Sequence, residues 1–286
     1  MKLLVTGGAG RLGTELIRNI TARGHSVRAF DLPQVPWEAL KEVPNVEVFK
    51  GDITQPSYVS EACEDVEGVF HLAALLPPRS EANSALTMKV NVEGTRNVIE
   101  ALKDRPEAPL ILASSISTYG PTADVKPPIN ESSPQMAHNN YSKSKIEAER
   151  IVRASGNPHV VLRIAPIAVA DLIELPNVIP YRADQRVEFV YVGDAAQALH
   201  SAFERREAWG GTFNIAGGKS WQMTGSEYIE RFYGALGVDV EPHYSEVYTA
   251  VDWYDTSRGS FLGYQIVTFN GFIEKLKTVA EQLGLR

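Results

Sequence analysis

The chain has a single cysteine, Cys63, in 286 residues. A lone thiol closes no disulfide within the chain and builds no cysteine cage for a metal. Basic charge is also in deficit. Lys and Arg total 28 against 35 Asp and Glu, for a net charge of -7. That balance argues against a nucleic-acid partner, which needs a basic face. No uncharged apolar run reaches the roughly 18 residues of a membrane span. The opening stretch turns to glycine at Gly7, too early for a secretory signal peptide. What remains is ordinary for a soluble protein: 44% hydrophobic and 22% charged residues. The length fits one large domain or two small ones with a sizeable core. The expectation is a mildly acidic cytoplasmic protein with no membrane and no nucleic-acid partner.

Short apolar runs alternate with amphipathic stretches through the first half. Strands are expected at 3–5, 27–30, 46–49, 69–72, 110–113 and 160–164. Helical spacing marks 12–20, 57–65, 82–103 and 141–154. Strands separated by helices require crossovers, so the sheet is parallel and doubly wound. Beyond Arg163 the pattern loosens, with Pro166, Pro176 and Pro180 inside an aperiodic interval over 165–186. A strand over 187–192, a helix over 194–205 capped by Asp194, a strand over 212–216 and helices over 226–236 and 272–283 follow. Residues 1–165 thus read as a nucleotide-binding core. Residues 166–286 read mainly as a small C-terminal substrate lobe, with 187–216 returning to the core.

Gly7, Gly10 and Gly13 fall between the first strand and the first helix with Arg11 and Leu12 between the last two. Glycines there permit a tight turn and close approach of backbone to a pyrophosphate, which the helix N-terminus attracts. Asp31 ends the second strand, 18 positions after Gly13. Its carboxylate suits the two hydroxyls of an adenosine ribose and repels a 2′-phosphate, which favours NAD over NADP. The alternative for Asp31 is a turn or cap residue. Arg28 and Arg11 are the two cations positioned to soften that preference. Asp52 and Ile53 follow the third strand, where an adenine ring would rest; Asp52 serves equally well as a helix cap. His71, in an apolar strand without ligand-spaced partners, reads as a core histidine rather than a catalyst or metal ligand.

Tyr141 and Lys145 stand four apart on one helical face. A free phenol, with a pKa near ~10, is a poor base at neutral pH. A neighbouring ammonium stabilises the phenolate and lowers that value. Ser114, Ser115 and Ser117 close the fifth strand, whose C-terminal end faces the ligand crevice in such sheets. One of the three is expected to orient a substrate oxygen, while at least two serve turn hydrogen bonds.

Taken together, these segments resemble the extended short-chain dehydrogenases/reductases of the NAD-dependent epimerase/dehydratase type. The resemblance rests on the 6–13 loop, Gly51-Asp52-Ile53, His71-Leu72-Ala73-Ala74, Asn91-Val92-Glu93-Gly94-Thr95, the 114–120 segment, the Tyr141 to Lys145 helix start and Val190-Tyr191-Val192-Gly193-Asp194. It implies a Rossmann-type fold, an NAD cofactor and an enzyme. By that resemblance Ser115 is the catalytic serine, Tyr141 the acid/base and Lys145 the lysine that also meets the nicotinamide ribose. Leu72, Ala73 and Ala74 line the cofactor, Asn91 supports its site or the lysine, and Ile164 meets the nicotinamide. A homodimer through the helices of Asn91 and Tyr141 is likewise implied.

Two departures bear on substrate. The run Ile164-Ala165-Pro166-Ile167-Ala168 lacks the asparagine usual in sugar-nucleotide members, and the interval from Arg163 to Phe189 is short. Both point to a small secondary alcohol or ketone, such as a sugar or sugar acid, with a sugar-nucleotide epimerase holding NAD tightly as the alternative. A dinucleotide-sensing regulator is disfavoured, because a sensor needs no acid/base. Arg79 and Arg182 are candidates for an anionic group or simply surface arginines. Trp221, Tyr248, Trp253 and Tyr254 are expected mainly to fill the lobe core.

Overall fold

The structure is a computed structural model that describes residues 1–171 and 175–285. Residues 172–174 of the aperiodic interval, and residue 286, lie outside the described residues. The first half contains β1 (Lys2–Thr6), α1 (Arg11–Ala22), β2 (Ser26–Asp31), β3 (Val46–Lys50), α2 (Pro56–Ala62) and β4 (Val69–His71). Then come α3 (Arg79–Ala82), α4 (Ser84–Met88), α5 (Gly94–Ala101), β5 (Leu110–Ser115), α6 (Asn140–Arg153) and β6 (His159–Ile164). The second half contains β7 (Ile167–Ala168), β8 (Arg186–Val187), β9 (Val190–Tyr191), α7 (Val192–Glu204), β10 (Thr212–Ile215), β11 (Met223–Thr224), α8 (Gly225–Leu236) and α9 (Phe269–Gln282).

Seven strands form one parallel sheet in the order β10-β6-β5-β4-β1-β2-β3. The order reverses between β1 and β4, which opens a crevice beyond their C-terminal ends. The strands read as continuous apolar runs because both faces are covered. On one face α1 and α7 pack Ile17 and Leu199 into a core with Leu3, Val5, Phe70 and Ile111 of the sheet. On the other, α2, α5 and α6 cover Leu4, Phe30, Val69, Leu112 and Val161. A third cluster, with Trp221, Phe232, Phe269 and Phe272 at its centre, forms the core of the C-terminal lobe. Of the four aromatics expected to fill the lobe core, Trp221 does so; Tyr254 is buried in the main core against Tyr119 instead, and Tyr248 and Trp253 are only partly buried.

Three local expectations fail, each through a tertiary contact. The single helix expected over 82–103 is instead α3, α4, a π turn at Lys89–Glu93, and α5. The π turn holds Asn91, whose side chain is bonded on both flanks. The strand expected over 187–192 is split into β8 and β9 around Glu188. That buried carboxylate accepts N–H groups from Gly218 and Tyr254 and from the side chain of Gln222. Asp194 does not cap the helix after it: α7 begins at Val192, and the Asp194 carboxylate accepts from Ile266 and Val267 instead.

Helix α6 is tied to the sheet by a buried ion pair. Glu149 takes Arg163 Nε and Nη2 at 3.1 and 2.9 Å. Ser114 Oγ donates to the same carboxylate at 2.5 Å. Arg163 reaches on to the Tyr119 hydroxyl, which donates to Asn214 Oδ1 of β10. Burial opposes the charge on Glu149, but the Arg163 guanidinium holds its carboxyl below the ordinary value. Removing one partner of such a pair strands the other in the core. Glu149→Leu is therefore expected to cost about 3–5 kcal/mol. Replacing Arg163 by Met in the same chain is expected to restore most of that loss. The midpoint of urea unfolding checks both; an unchanged midpoint for Glu149→Leu contradicts the account.

Candidate active site

The crevice is lined by what leaves the C-terminal ends of β1, β2, β4, β5 and β6. The β1 exit is the glycine turn. Gly7 has φ of +71°, a conformation only glycine adopts without strain. A Cβ on Gly13 would lie 2.3 Å from the Gly7 carbonyl, so the helix approaches the turn only as glycine. Gly10 stands at the N-cap of α1, where no side chain caps the helix and no acid occupies the first turn. The positive end of α1 is thus open to an anion, as a dinucleotide pyrophosphate requires. Arg11 is exposed at the helix start, while Leu12 is partly buried against the core.

Asp31 closes β2 and accepts from the backbone N–H of Ala9 in the turn and of Leu32. Burial raises its pKa, and the two N–H groups pull the other way. Arg28 does not share this space. It pairs with Glu47 and donates to the carbonyls of Glu61, Ala62 and Glu64. Asp52 folds onto the N–H of Thr54, and α2 starts later with Gln55 at its N-cap, so Asp52 caps no helix. Ile53 is buried against the face where Gly94 lacks a side chain.

A hydrogen-bonded chain runs under the turn. Thr95 Oγ1 donates to the Asn91 carbonyl, so it accepts from His71 Nε2 at 2.9 Å. The His71 Nδ1 then accepts from Thr6 Oγ1 at 2.7 Å. Thr6 Oγ1 in turn accepts the N–H groups of Leu72 and Ala73. His71 is therefore the tautomer with its proton on Nε2. Burial, with Lys145 nearby, pushes the His71 pKa down to about 3, so the ring is neutral. His71 is a positioning histidine within the core, as its strand context implies. Ala74 follows on the partly buried exit of β4, and Leu75 is gripped at both N–H and C=O by the Asn91 amide.

Asn91 also donates to Ser144 Oγ at 2.9 Å on α6. That helix starts from an Asn139–Ser142 capping box, which fixes its first turn and with it Tyr141. Four residues on, Lys145 is 4% exposed and its Nζ donates to the Ala113 carbonyl on β5 at 2.8 Å. Its ammonium lies 5.8 Å from the Tyr141 ring centre. The Ser115 hydroxyl lies on the phenol side of Tyr141, where it favours the phenolate, and Ser115 Oγ accepts the N–H of Ser117. Burial pushes the phenol up to about 12 against that influence. Burial pushes Lys145 down to about 8, against the charge of Glu149.

The structure therefore sorts the three serines. Ser114 belongs to Glu149, Ser117 Oγ is buried without a partner among the described residues, and Ser115 meets the phenol. Ile164, at the end of β6, pairs in register with Ser115. Arg182 is bound to Asp184, and Arg79 is exposed at the start of α3. Sequence reasoning missed Thr6, Thr95 and Glu149. The last two had a signal: each stands four residues after a recognised position, Asn91 and Lys145, on the same helical face.

Residues 3–167, more than half of the chain, match the NAD dependent epimerase/dehydratase family. The chain belongs to that family. NAD is the cofactor of the family, and the open helix end, the glycine cradle and Asp31 fit it. Among curated relatives, the human sterol-4-alpha-carboxylate 3-dehydrogenase, decarboxylating, is 29% identical over 79% of this chain and 62% of its own length. D-erythronate dehydrogenase of Cupriavidus necator is 32% identical over 42% of this chain and 40% of its own. The match thus spans less than two thirds of either relative. The UDP-glucose 4-epimerase of Thermotoga maritima, solved with UDP-glucose, superposes with a TM-score of 0.86 over 100% of both chains at 23% identity, which shows a shared fold. Among the described residues no helix is long and apolar enough to cross a membrane.

Burial of the Lys145 amine couples folding to pH. Between about pH 8 and the ~10.4 of a free lysine, the unfolded chain holds the proton that the folded chain has released. Stability therefore rises with pH across that window relative to a chain without the amine. The unfolding free energy of the NAD-free protein, minus that of Lys145→Met, should grow by at most about 1.4 kcal/mol per pH unit from pH 8 to 10. A flat or falling difference contradicts the buried-amine assignment.

Proposed function

We propose that the chain is an NAD-dependent oxidoreductase acting on a small secondary alcohol or ketone, with Tyr141 as acid/base. The observation that carries this reading is the buried Lys145 ammonium on the Ala113 carbonyl, 5.8 Å from the Tyr141 ring centre, with Ser115 on the phenol side. Ser115 orients the substrate oxygen. Tyr141 takes the hydroxyl proton during oxidation and returns it during reduction. Lys145 stabilises the phenolate by its charge and meets the nicotinamide ribose. NAD, when bound, supplies the hydride acceptor. Gly7, Gly10, Arg11, Leu12 and Gly13 hold the pyrophosphate, and Asp31 takes the adenosine ribose. Asp52 and Ile53 border the adenine. Leu72, Ala73, Ala74, Asn91 and Ile164 complete the cofactor wall.

A sugar acid is the favoured substrate class, supported by the D-erythronate relative and by the missing asparagine after Arg163. The alternative is a sugar-nucleotide epimerase. The Thermotoga UDP-glucose 4-epimerase covers the same extent of fold, so the short interval after Arg163 does not itself exclude a nucleotide sugar. In this reading residues 1–165 are the dinucleotide-binding core. Residues 166–286, apart from 187–216, form the substrate lobe. A cytoplasmic location and a homodimer through α4 to α6 belong to the same proposal; Leu86, 44% exposed on α4, supports the latter. A monomer by light scattering at micromolar concentration contradicts the dimer.

The test is NADH absorbance with a panel of sugars, sugar acids, simple alcohols and nucleotide sugars. Net NADH production with a small hydroxy compound supports the oxidoreductase; conversion of a nucleotide sugar without net NADH supports the epimerase. Tyr141→Phe is expected to lower kcat by about 10²–10⁴ with NAD affinity retained. Near-native turnover by Tyr141→Phe overturns the mechanism in either form.

A further inference from the structure

The opposite end of the sheet holds a feature that the crevice does not use. His200, on α7, is fully buried, and neither ring nitrogen has a hydrogen-bond partner. A neutral imidazole carries one donor and one acceptor, and burying both unmet is unfavourable. One helical turn on, Glu204 Oε1 lies 3.7 Å from His200 Nε2, beyond hydrogen-bond range. His25, in the turn between α1 and β2, brings its ring centre within 6.2 Å of the His200 ring. One ligand atom from each of His25, His200 and Glu204 lies within 4.8 Å of the others.

We propose that His25, His200 and Glu204 form a zinc site in which water supplies the fourth ligand. Two imidazoles and a carboxylate suit Zn²⁺ and related transition metals, whereas Ca²⁺ and Mg²⁺ take oxygen ligands. Bonds of about 2.0–2.1 Å in a tetrahedron place ligand atoms roughly 3.3–3.4 Å apart. The His200–Glu204 separation is already close to that edge. The partly exposed His25 and the exposed Glu204 side chains can swing to close the rest. The neighbouring Arg23 guanidinium is engaged by Asn19 and Gln197. The site is separate from the crevice. His25 precedes β2 and Asp31 ends it, so the strand of six residues sets them roughly 17–20 Å apart. A metal here staples the α1–β2 turn to α7, on the face where α1 and α7 already pack.

The test begins with chelator-treated full-length protein titrated with Zn²⁺, and separately with Co²⁺. One equivalent is expected to bind with a Kd on the order of micromolar, and Co²⁺ is expected to show the strong visible bands of tetrahedral coordination. At a hundred-fold excess over Kd, Tm is expected to rise by about 5 °C. His25→Ala and Glu204→Gln, which alter side chains that are not fully buried, are each expected to weaken binding by about tenfold or more. NAD affinity, measured in parallel, shows that both variants remain folded. The absence of a saturable Zn²⁺ equivalent overturns the proposal, as does Zn²⁺ binding that both variants retain.

Discussion

One buried cation organises the crevice. The Lys145 ammonium donates to the Ala113 carbonyl of β5, and this contact ties α6 to an interior strand of the sheet. Because Tyr141 lies one turn earlier on the same helix, the contact also sets the phenol against Ser115. An ammonium out of water is unfavourable, which its fallen pKa records. It persists because it is held from several sides: by the carbonyl, by the charge of Glu149 one turn further on, and by a helix whose start is capped. The same arrangement favours the anionic form of any acid placed nearby. In the free protein burial favours the neutral phenol, and added positive charge at the crevice would favour its anion.

Helix α6 therefore joins three tasks along one face. Its first turn presents the phenol, its second the amine, and its third the Glu149 carboxylate that locks it to Arg163 and, through Tyr119, to Asn214 of β10. The side chain of Asn91 braces the helix from the other side through Ser144. The Asn91 carbonyl meanwhile joins Thr95, His71 and Thr6 in the chain that ends on the N–H groups of Leu72 and Ala73. Two polar networks thus position the loops after β1, β4 and β5 relative to one another. Their hydrogen bonds are buried and satisfied, the condition under which polar groups rigidify a core.

What was legible in the sequence was local. The glycine spacing encodes a turn, and the Tyr141–Lys145 spacing encodes one helical face. Neither needs knowledge of distant residues. The alternation of strands and helices gave the sheet, because a parallel strand needs a crossover. Illegible features were those with distant partners. Asp194 looks like a cap until the N–H groups of Ile266 and Val267 are brought to it. The 82–103 periodicity continues through a π turn because Leu75 and Ser144, which hold Asn91 there, lie outside that segment. Glu188 interrupts an apolar run that reads as one strand, and its donors come from residues 218, 222 and 254. The three serines were indistinguishable until Glu149 claimed Ser114.

In the proposed mechanism, positive charge beside Tyr141 lowers a phenol that burial holds near 12 toward the range of a working base. Tyrosinate absorbance against pH, in the presence of saturating NAD, reads this directly when the Tyr141→Phe curve is subtracted. One tyrosine is expected to titrate well below its position in the free protein once NAD is bound, and to move back toward the alkaline range in Lys145→Met. A difference curve that stays in the alkaline range with NAD bound, or one that Lys145→Met leaves unmoved, would contradict it.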